Sequence, residues 1–478
     1  MDFRGRATDL GLLSSQAQAV VNGTGATRGK ALVMTGRRRV GKSRLAQEFC
    51  DRSGLPYVVL QASRGRNPAA ERTDFLRCLE RSSLPGATLV TGLEAGDWNS
   101  ALRSLALAVP DDAPSVVVID EVPWLVEQDA EFEGALQTAW DRHLSAKPVL
   151  LLLVGSDMSV MEALQTYGRP FFGRAAKMTV QPLSLADVQA MTGLDAADAV
   201  DALLITGGFP EIVQSWQSGQ THEDFLRQAL TQPLSPLLAA GELTLLGEFP
   251  ETTRSRAVLE AIGSGERTFT AIATQAGGDS PLAAGTLSPV LKTLQAKRII
   301  TVEQPLGRTP DTKNKRYRVA DPYLRFWLAF LDRALPLVER GRGDVALRRV
   351  LKSWTTWRGR AVETLIRESL LRMLPDDSWP DTEAVGGWWN RRNNPEIDLV
   401  GADRSPVAGA VHFVGSVKWL DTQPFGRREY EALLRDALAV PGATPDTPLV
   451  AVSRAGVDSS LPLAASWGPE DLVRAWRT

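Results

Sequence analysis

The first half of the chain alternates short, continuous apolar runs with longer stretches in which apolar residues recur every three or four positions. The runs have the length of strands and lie at 30–35, 55–60, 115–119 and 149–154. A strand covered on both faces is expected to be apolar throughout, and helical stretches between such strands predict parallel pairing. We therefore predict an α/β fold built on a doubly wound parallel sheet, with ligands bound at the carboxyl ends of its strands.

The pattern changes beyond about residue 180. Residues 181–245 form a small helical region, and residues 246–320 contain three helical stretches followed by two short β-rich segments. Three helices and a hairpin predict a winged helix. Residues 321–478 again mix helical and strand patterns, so that four parts are predicted, with a first part at 1–180.

Composition narrows the function classes. The chain has 478 residues, a net charge of −2 and only two cysteines, which excludes a disulfide framework and argues against a wholly basic nucleic-acid coat. The longest apolar run, 149–154, is too short to span a bilayer. The chain also opens without an apolar signal region. We expect a cytoplasmic protein with no membrane partner.

A glycine-rich loop follows the first predicted strand and precedes a helical stretch. It has the spacing G-x-x-x-x-G-K-S, which is typical of a phosphate-binding loop in this strand-to-helix context. Lys42 is expected to reach the β- and γ-phosphates of ATP, and the Ser43 hydroxyl to bind Mg²⁺. The residues predicted to bind the nucleotide here are Gly36, Arg37, Arg38, Arg39, Val40, Gly41, Lys42, Ser43 and Arg44.

Polar residues follow two later strands. Asp120 ends the run 115–119 and is expected to hold Mg²⁺, while Glu121 would orient or deprotonate the attacking water. Ser156 follows the run 149–154 and is our candidate for sensing the γ-phosphate, with Asp157 as the alternative. Turn residues that simply end a strand are the other interpretation of this pair.

Two further segments could contact the nucleotide. Arg174, and less favourably Arg169, could place positive charge against the transferred phosphate, within the same subunit or on a neighbour. Either arginine could instead be a surface ion-pair partner. The segment from Phe3 to Arg6 either lies beside the adenine or caps an ordinary N-terminal helix.

The predicted winged helix is locally basic. Such a domain can place its third helix in a major groove while the wing contacts phosphate, which predicts binding to duplex DNA. A winged helix used only for packing against protein, in one chain or in a homo-oligomer, is the alternative. The basic residues are Lys292, Lys297, Arg298, Lys313, Lys315, Arg316 and Arg318.

Taken in order, the opening Phe-Arg-Gly-Arg, the glycine loop, Val-Ile-Asp-Glu, Val-Gly-Ser and Gly-Gly-Phe-Pro resemble the archaeal-type ATPases, an AAA-like branch allied to the STAND ATPases. The resemblance covers roughly residues 1–235. It implies that 181–245 form a helical lid, that Pro210 lies near the nucleotide, and that the protein is a nucleotide-controlled switch. The segment 321–327 resembles the stretch that joins such ATPases to a DUF234-type domain.

The last part resembles the PD-(D/E)xK nuclease fold. Glu363 on a helix, Asp398 on a strand and Lys418 on the next strand match that pattern and imply a second metal site. Ser416 departs from it, because an acid is expected two residues before the lysine. Glu396 could share a strand face with Asp398. Either an active nuclease or a nuclease fold kept for binding and scaffolding is consistent with these residues.

Overall fold

The computed structural model describes residues 3–23, 28–248 and 253–477. The chain forms two compact units, residues 1–182 and 183–478. The four-part division expected from the sequence is therefore grouped into two units, and its finer boundaries stay predictions.

The first unit contains a five-stranded parallel sheet, as predicted. Its order is β2-β3-β4-β1-β5, so β4 lies between the strand before the glycine loop and the strand that ends in Asp120. Every residue of β3 and β4 is buried. The strands are β1 Lys30–Thr35, β2 Tyr57–Gln61, β3 Ser115–Asp120, β4 Val149–Val154 and β5 Ala176–Thr179.

Helices cover both faces of this sheet. Alternate strand residues such as Val33, Val117 and Leu151 pack with α3, α4 and α6 in one apolar core, and their neighbours, by the two-residue period of a strand, face α1 and α2. The α-helices are α1 Ala7–Val21, α2 Lys42–Ser53, α3 Pro68–Glu80, α4 Trp98–Ala108, α5 Val122–Gln128, α6 Phe132–Ala139 and α7 Met158–Ala163.

The second unit begins with five helices, which agrees with the helical region expected there. Side-chain caps fix several starts: Ser184 and Asp187 form a capping box, and Thr221 accepts a hydrogen bond from the backbone N–H of Asp224. The helices are α8 Leu185–Thr192, α9 Ala196–Thr206, α10 Pro210–Gln214, α11 His222–Thr231 and α12 Pro236–Glu248.

Three helices and an antiparallel hairpin follow, in the order expected of a winged helix. We call residues 253–319 the helix–hairpin segment. Its strands pair from Ile300 with Val319 to Glu303 with Arg316. Its elements are α13 Thr253–Gly263, α14 Phe269–Gly277, α15 Ala284–Ala296, β6 Ile300–Glu303 and β7 Arg316–Val319.

The remainder of the second unit contains a mixed five-stranded sheet of order β12-β11-β10-β9-β8. The pairs β8–β9 and β9–β10 are antiparallel, while β10–β11 and β11–β12 are parallel. The expected mixed α/β class is therefore confirmed. The elements are α16 Pro322–Phe326, α17 Leu335–Glu339, α18 Gly343–Met373, β8 Ala384–Trp389, β9 Glu396–Ala402, β10 Val411–Lys418, α19 Arg427–Ala437, β11 Leu449–Ser453, β12 Ala465–Trp467 and α20 Pro469–Arg474.

Across the described residues, no helix combines the length and the apolar character that crossing a membrane requires.

Candidate nucleotide site and C-terminal acid cluster

The glycine loop joins β1 to α2 in a conformation that its glycines make possible. Gly36 has φ +152°, and a Cβ at this position would lie 2.4 Å from the carbonyl oxygen of Val180. Gly41 adopts a left-handed conformation, with φ 89°, at the N-terminus of α2. The loop is thereby bent over the start of a helix, where backbone N–H groups favour an anion.

Lys42 lies at the centre of this loop. Its ammonium donates to the carbonyl oxygens of Gly36 and Arg37, each at 2.9 Å. Burial lowers the pKa of Lys42 to about 8, although Glu121 and Asp120 oppose this shift. The loop therefore holds a buried cation whose charge a bound polyphosphate would stabilise. Ser43 and Arg44, the next two residues of the loop motif, are exposed.

The N-terminal segment supports the loop from one side. Arg6 is buried in a left-handed conformation immediately before α1. Its guanidinium donates to the carbonyl oxygens of Val40 and Gln181 and forms an ion pair with Asp9 at 2.9 Å. Phe3 lies under the guanidinium of Arg52, 5.7 Å from the ring centroid. Arg6 thus fixes the position of the loop backbone, while the adenine contact expected for Phe3 and Arg6 stays a prediction.

Asp120 and Glu121 lie where β3 ends. Asp120 is buried and accepts a hydrogen bond from the backbone N–H of Glu121 at 2.9 Å. Glu121 has φ 57°, an unusual conformation for a residue other than glycine. Burial and the neighbouring Asp120 raise the pKa of the Glu121 carboxyl. A carboxylate with a raised pKa is a better proton acceptor for a water molecule.

Ser156 follows β4, the strand between β1 and β3. Its hydroxyl lies 3.4 Å from Oε2 of Glu121. Asp157, the alternative sensor, instead caps α7 by accepting hydrogen bonds from the backbone N–H groups of Ser159 and Val160. The sheet order therefore brings Ser156 to the two acids.

The two candidate arginines are held in ion pairs. Arg174 forms a bidentate pair with Asp141, at 2.8 and 2.7 Å, and donates to the carbonyl oxygen of Pro170. Arg169 pairs with Glu133 at 2.5 Å. These contacts match the surface ion-pair interpretation, and a phosphate contact by Arg174 would require it to leave Asp141.

The Gly-Gly-Phe-Pro motif makes a tight turn in the second unit. A Cβ on Gly208 would lie 2.2 Å from the carbonyl oxygen of Leu183, and its φ is +72°. Pro210 occupies the first turn of α10, where its missing N–H costs nothing. The motif thus has a structural role in its own unit, and a nucleotide contact by Pro210 stays a prediction.

The residues proposed for a second metal site have partners within the chain. We call Glu363, Glu396 and Asp398 the C-terminal acid cluster. Glu363 forms ion pairs with Arg318 at 3.0 Å and with Arg367 at 3.4 Å. Burial opposes ionisation, but these guanidinium groups outweigh it and hold the pKa of Glu363 below its usual range.

The other two residues that match the nuclease pattern, Asp398 and Lys418, also have partners within the chain. Oδ2 of Asp398 accepts hydrogen bonds from the Ser416 hydroxyl at 2.9 Å and from the backbone N–H of Val417 at 2.8 Å. Burial and Glu363 raise the pKa of Asp398 to about 6. Lys418 pairs with Glu429 at 2.7 Å. Within the described residues, no group of three or more His, Cys, Asp or Glu side chains could hold a metal, and the expected second metal site, with two acids and a lysine, stays a prediction.

The same contacts correct the predicted basic wing. Arg316 and Arg318 are each only 4% exposed. Arg316 pairs with Glu396 and lies over the ring of Trp389, 4.1 Å from its centroid. Alternation along β7 directs both arginines to one face, and that face packs on the C-terminal domain. They cannot form a DNA-contacting surface in this arrangement.

Sequence reasoning did not find the arginines that neutralise these acids. The four-residue spacing of Glu363 and Arg367 on one helix was a usable signal. No comparable signal links Arg358 to Asp201, a fully buried pair 2.7 Å apart and 157 positions distant in sequence.

In the first unit, β4 is inserted between β1 and β3 of a parallel sheet, and the glycine loop follows the carboxyl end of β1. This arrangement defines the P-loop class of fold. Residues 327–432 match the family described as DUF234, archaea bacterial proteins of unknown function, so the expected DUF234-type segment is confirmed. The chain is 24% identical over 411 residues to an uncharacterized protein of Methanocaldococcus jannaschii, a match that covers 85% of each chain.

Two solved structures are also similar to the chain. One is the Walker-type ATPase PABY2304 of Pyrococcus abyssi, with 18% identity, a TM-score of 0.48 and coverage of 68% of this chain and 96% of that one. The other is the ORC2 protein of Aeropyrum pernix, with 15% identity, a TM-score of 0.49 and coverage of 74% and 96%. Neither similarity assigns an activity to this chain.

Proposed function

We propose that the protein binds ATP with Mg²⁺ at the glycine loop, hydrolyses it, and acts as a nucleotide-controlled switch. One observation carries the proposal: Lys42, Asp120, Glu121 and Ser156 lie at the carboxyl edge of one parallel sheet. The fold brings a phosphate-binding loop, two acids and a hydroxyl together from three strands. Each has the chemistry that phosphoryl transfer to water requires.

The donor set fits a magnesium ion. The Ser43 hydroxyl and the buried Asp120 carboxylate are both oxygen donors, and Mg²⁺ is usually held by one or two protein groups together with substrate phosphates and water. Bound there, the ion would neutralise phosphate charge. Lys42 would bind phosphate oxygens, and Glu121, with its raised pKa, would accept a proton from water.

Steady-state ATP turnover tests the proposal. Glu121→Gln should lower turnover about 100-fold or more while nucleotide binding is retained, because the general base is lost and the loop is unchanged. Lys42→Ala should abolish binding itself. Glu127→Gln is a matched control, since this exposed acid lies on the same helix α5. Turnover that is equal in Glu121→Gln and Glu127→Gln would contradict hydrolysis at this site.

The role of Arg174 can be tested with the same assay. If Arg174 acts on a neighbouring subunit, turnover per chain should rise with protein concentration, and Arg174→Ala should remove that rise. Asp141→Asn frees Arg174 from its ion pair without removing it, and should keep the rise. Turnover that is independent of both substitutions would leave Arg174 as a surface ion-pair partner.

A second candidate function is binding of duplex DNA by the helix–hairpin segment. The observation that favours it is a set of exposed cations on α15, directly after it and in the loop that precedes β7, namely Lys292, Lys297, Arg298, Lys313 and Lys315. They lie apart from Arg316 and Arg318, whose charges are used within the chain. This surface could contact phosphates but offers no evident means of reading a base sequence.

Fluorescence anisotropy with a duplex oligonucleotide tests this candidate. Reversing Lys292, Lys313 and Lys315 to Glu should weaken binding and flatten its dependence on salt, because fewer counterions are released. Arg349→Glu, on an exposed face of α18, is the control for reversing a charge elsewhere on the surface. Unchanged affinity would favour the alternative, a nucleotide-controlled scaffold in which the segment packs only against protein. Stimulation of ATP turnover by the same duplex would identify DNA as the trigger of the switch.

A further inference from the structure

A basic cavity lies entirely within the second unit, away from the glycine loop in sequence. It has a volume of about 430 Å³ and is bounded by the turn after α13, by β7, by the segment around residues 325–330 and by α18. Among the described residues that line it, none is Asp or Glu. Five cationic side chains line it: Arg267, Arg318, Arg325, Lys352 and Arg360.

The acids of this region lie on the other side of the arginines. A neighbouring cavity of about 500 Å³ is lined by Glu266 and by all three members of the C-terminal acid cluster. Arg318 is neutralised from that side by Glu363, and by Glu303 at 3.0 Å. Arg267 lies 3.6 Å from Glu396. Among the described residues, the cations of the first cavity that form no ion pair are therefore Arg325, Lys352 and Arg360, and Arg360 also lines the neighbouring cavity.

Arg325 has the environment of a cation that lacks an anion. Its guanidinium donates to the carbonyl oxygens of Ala361 and Arg360, at 3.4 and 3.2 Å. In the described part of the chain, it forms no ion pair with a carboxylate. Burial, and then the charge of Arg318, lower the pKa of Arg325 to about 9. The guanidinium also lies over the ring of Trp357, 5.9 Å from its centroid. A partly buried cation held by carbonyl groups and a ring, without a carboxylate, is costly unless a negative group completes its environment.

The walls of the cavity are suited to a phosphorylated organic molecule. Trp357 and Phe330 supply apolar ring surface, and the hydroxyls of Ser264, Ser353 and Thr356 supply further hydrogen-bonding groups. The volume lies within the range of small-molecule sites. Arginine is well matched to phosphate because its planar guanidinium can donate two parallel hydrogen bonds.

We propose that this cavity binds a phosphorylated small molecule of about nucleotide size, through Arg325, Lys352 and Arg360. The bound phosphate supplies the negative charge that these residues lack, and the aromatic rings contact the organic part. The site is separate from the glycine loop and does not depend on ATP hydrolysis there. It would let a second phosphorylated molecule act on the helix–hairpin segment and α18, which together form its walls.

Isothermal titration calorimetry on full-length Lys42→Ala protein tests the proposal, because that background removes the glycine-loop site. The probes are inorganic pyrophosphate and ADP. We expect binding at one site per chain, weakened about tenfold or more by Lys352→Met with Arg360→Met, since each cation contributes a charge-assisted hydrogen bond. These side chains are exposed, so their loss should leave the fold intact. Arg349→Met, on the same helix but outside the cavity, is the matched control.

Two results would overturn the proposal. The first is no binding of either probe, and a duplex oligonucleotide that then binds through Lys352 and Arg360 would make this a nucleic-acid surface. The second is binding that the double variant and the control weaken equally. Arg325→Gln supplies an independent test at the base of the cavity, with circular dichroism reporting its fold, and it should weaken pyrophosphate as the double variant does.

Discussion

The low pKa of Lys42 makes ATP binding depend on pH in a defined direction. Below pH 8 the free protein already carries a charged Lys42, so binding requires no proton uptake. Above pH 8 the free side chain is largely neutral, whereas bound phosphates favour the ammonium form. Binding must then take up a proton, and affinity falls about tenfold for each further pH unit.

The magnitude follows from the pKa of about 8. At pH 9.5, 1.5 units higher, roughly 3% of Lys42 is charged, so affinity should be about 30-fold weaker than at pH 7, or about 2 kcal/mol. Ionisation of the nucleotide does not contribute to this pH dependence, because its phosphates are fully ionised across the upper part of this range.

The assay is equilibrium binding of a fluorescent, non-hydrolysable ATP analogue at constant ionic strength and Mg²⁺, from pH 6.5 to 9.5. Circular dichroism at each pH confirms that the protein remains folded. Lys42→Ala should show no binding of the analogue at any pH in this range. A wild-type affinity that stays constant to pH 9.5 in folded protein would refute the inference that a buried, partly neutralised Lys42 binds the phosphates.

Three further outcomes are expected. Gly36→Ala should weaken nucleotide binding about tenfold or more, because the added Cβ would lie 2.4 Å from a carbonyl oxygen. Gly54→Ala, with open space around the added Cβ, should not weaken it, and equal binding by the two variants would contradict the close approach at Gly36. Asp201→Ala should lower the free energy of unfolding by about 3 kcal/mol, measured by urea denaturation, because it removes the buried carboxylate of Arg358 and leaves that arginine only the largely exposed Asp421. Asp198→Ala, whose side chain is 39% exposed, should cost about 1 kcal/mol or less, and similar losses would contradict the burial argument. Duplex DNA should remain uncut with Mg²⁺ or Mn²⁺, since arginines hold the C-terminal acid cluster; cutting that Lys418→Ala abolishes would contradict this.

Local patterns in the sequence were sufficient to predict the first sheet. Strands β1, β3 and β4 were predicted from continuous apolar runs, because a strand covered on both faces has no polar period. The sheet order then brought Ser156 to Glu121, a proximity that the sequence suggested only through the polar residues at the strand ends. The start of α3 is harder to predict from sequence, because the side chain of Asn67 caps the helix several residues before its apolar repeat begins.

The C-terminal domain shows why charged residues are harder to assign. The sequence shows that Glu363 and Asp398 are acids, but it does not show which cations approach them in the fold. Arg318 is 45 positions from Glu363 and belongs to a different part of the chain, so only the tertiary structure reveals that it is the partner. The wing could not be assigned for the same reason: the alternating arginines of β7 are compatible both with exposure to solvent and with a buried ion-pair network.

The pairing of the β7 arginines with the C-terminal acids has a consequence for how this chain can be divided. A fragment that ended after the hairpin would separate Arg316 from Glu396 and Arg318 from Glu363, although Arg318 would keep Glu303. A fragment that began at α18 would lose the same two pairs, although Glu363 would keep Arg367. Each fragment would therefore lose ion pairs that the intact chain has. We therefore expect the two parts to be expressed together, and a charge-changing substitution at Arg316 to be rescued best by a complementary substitution at Glu396.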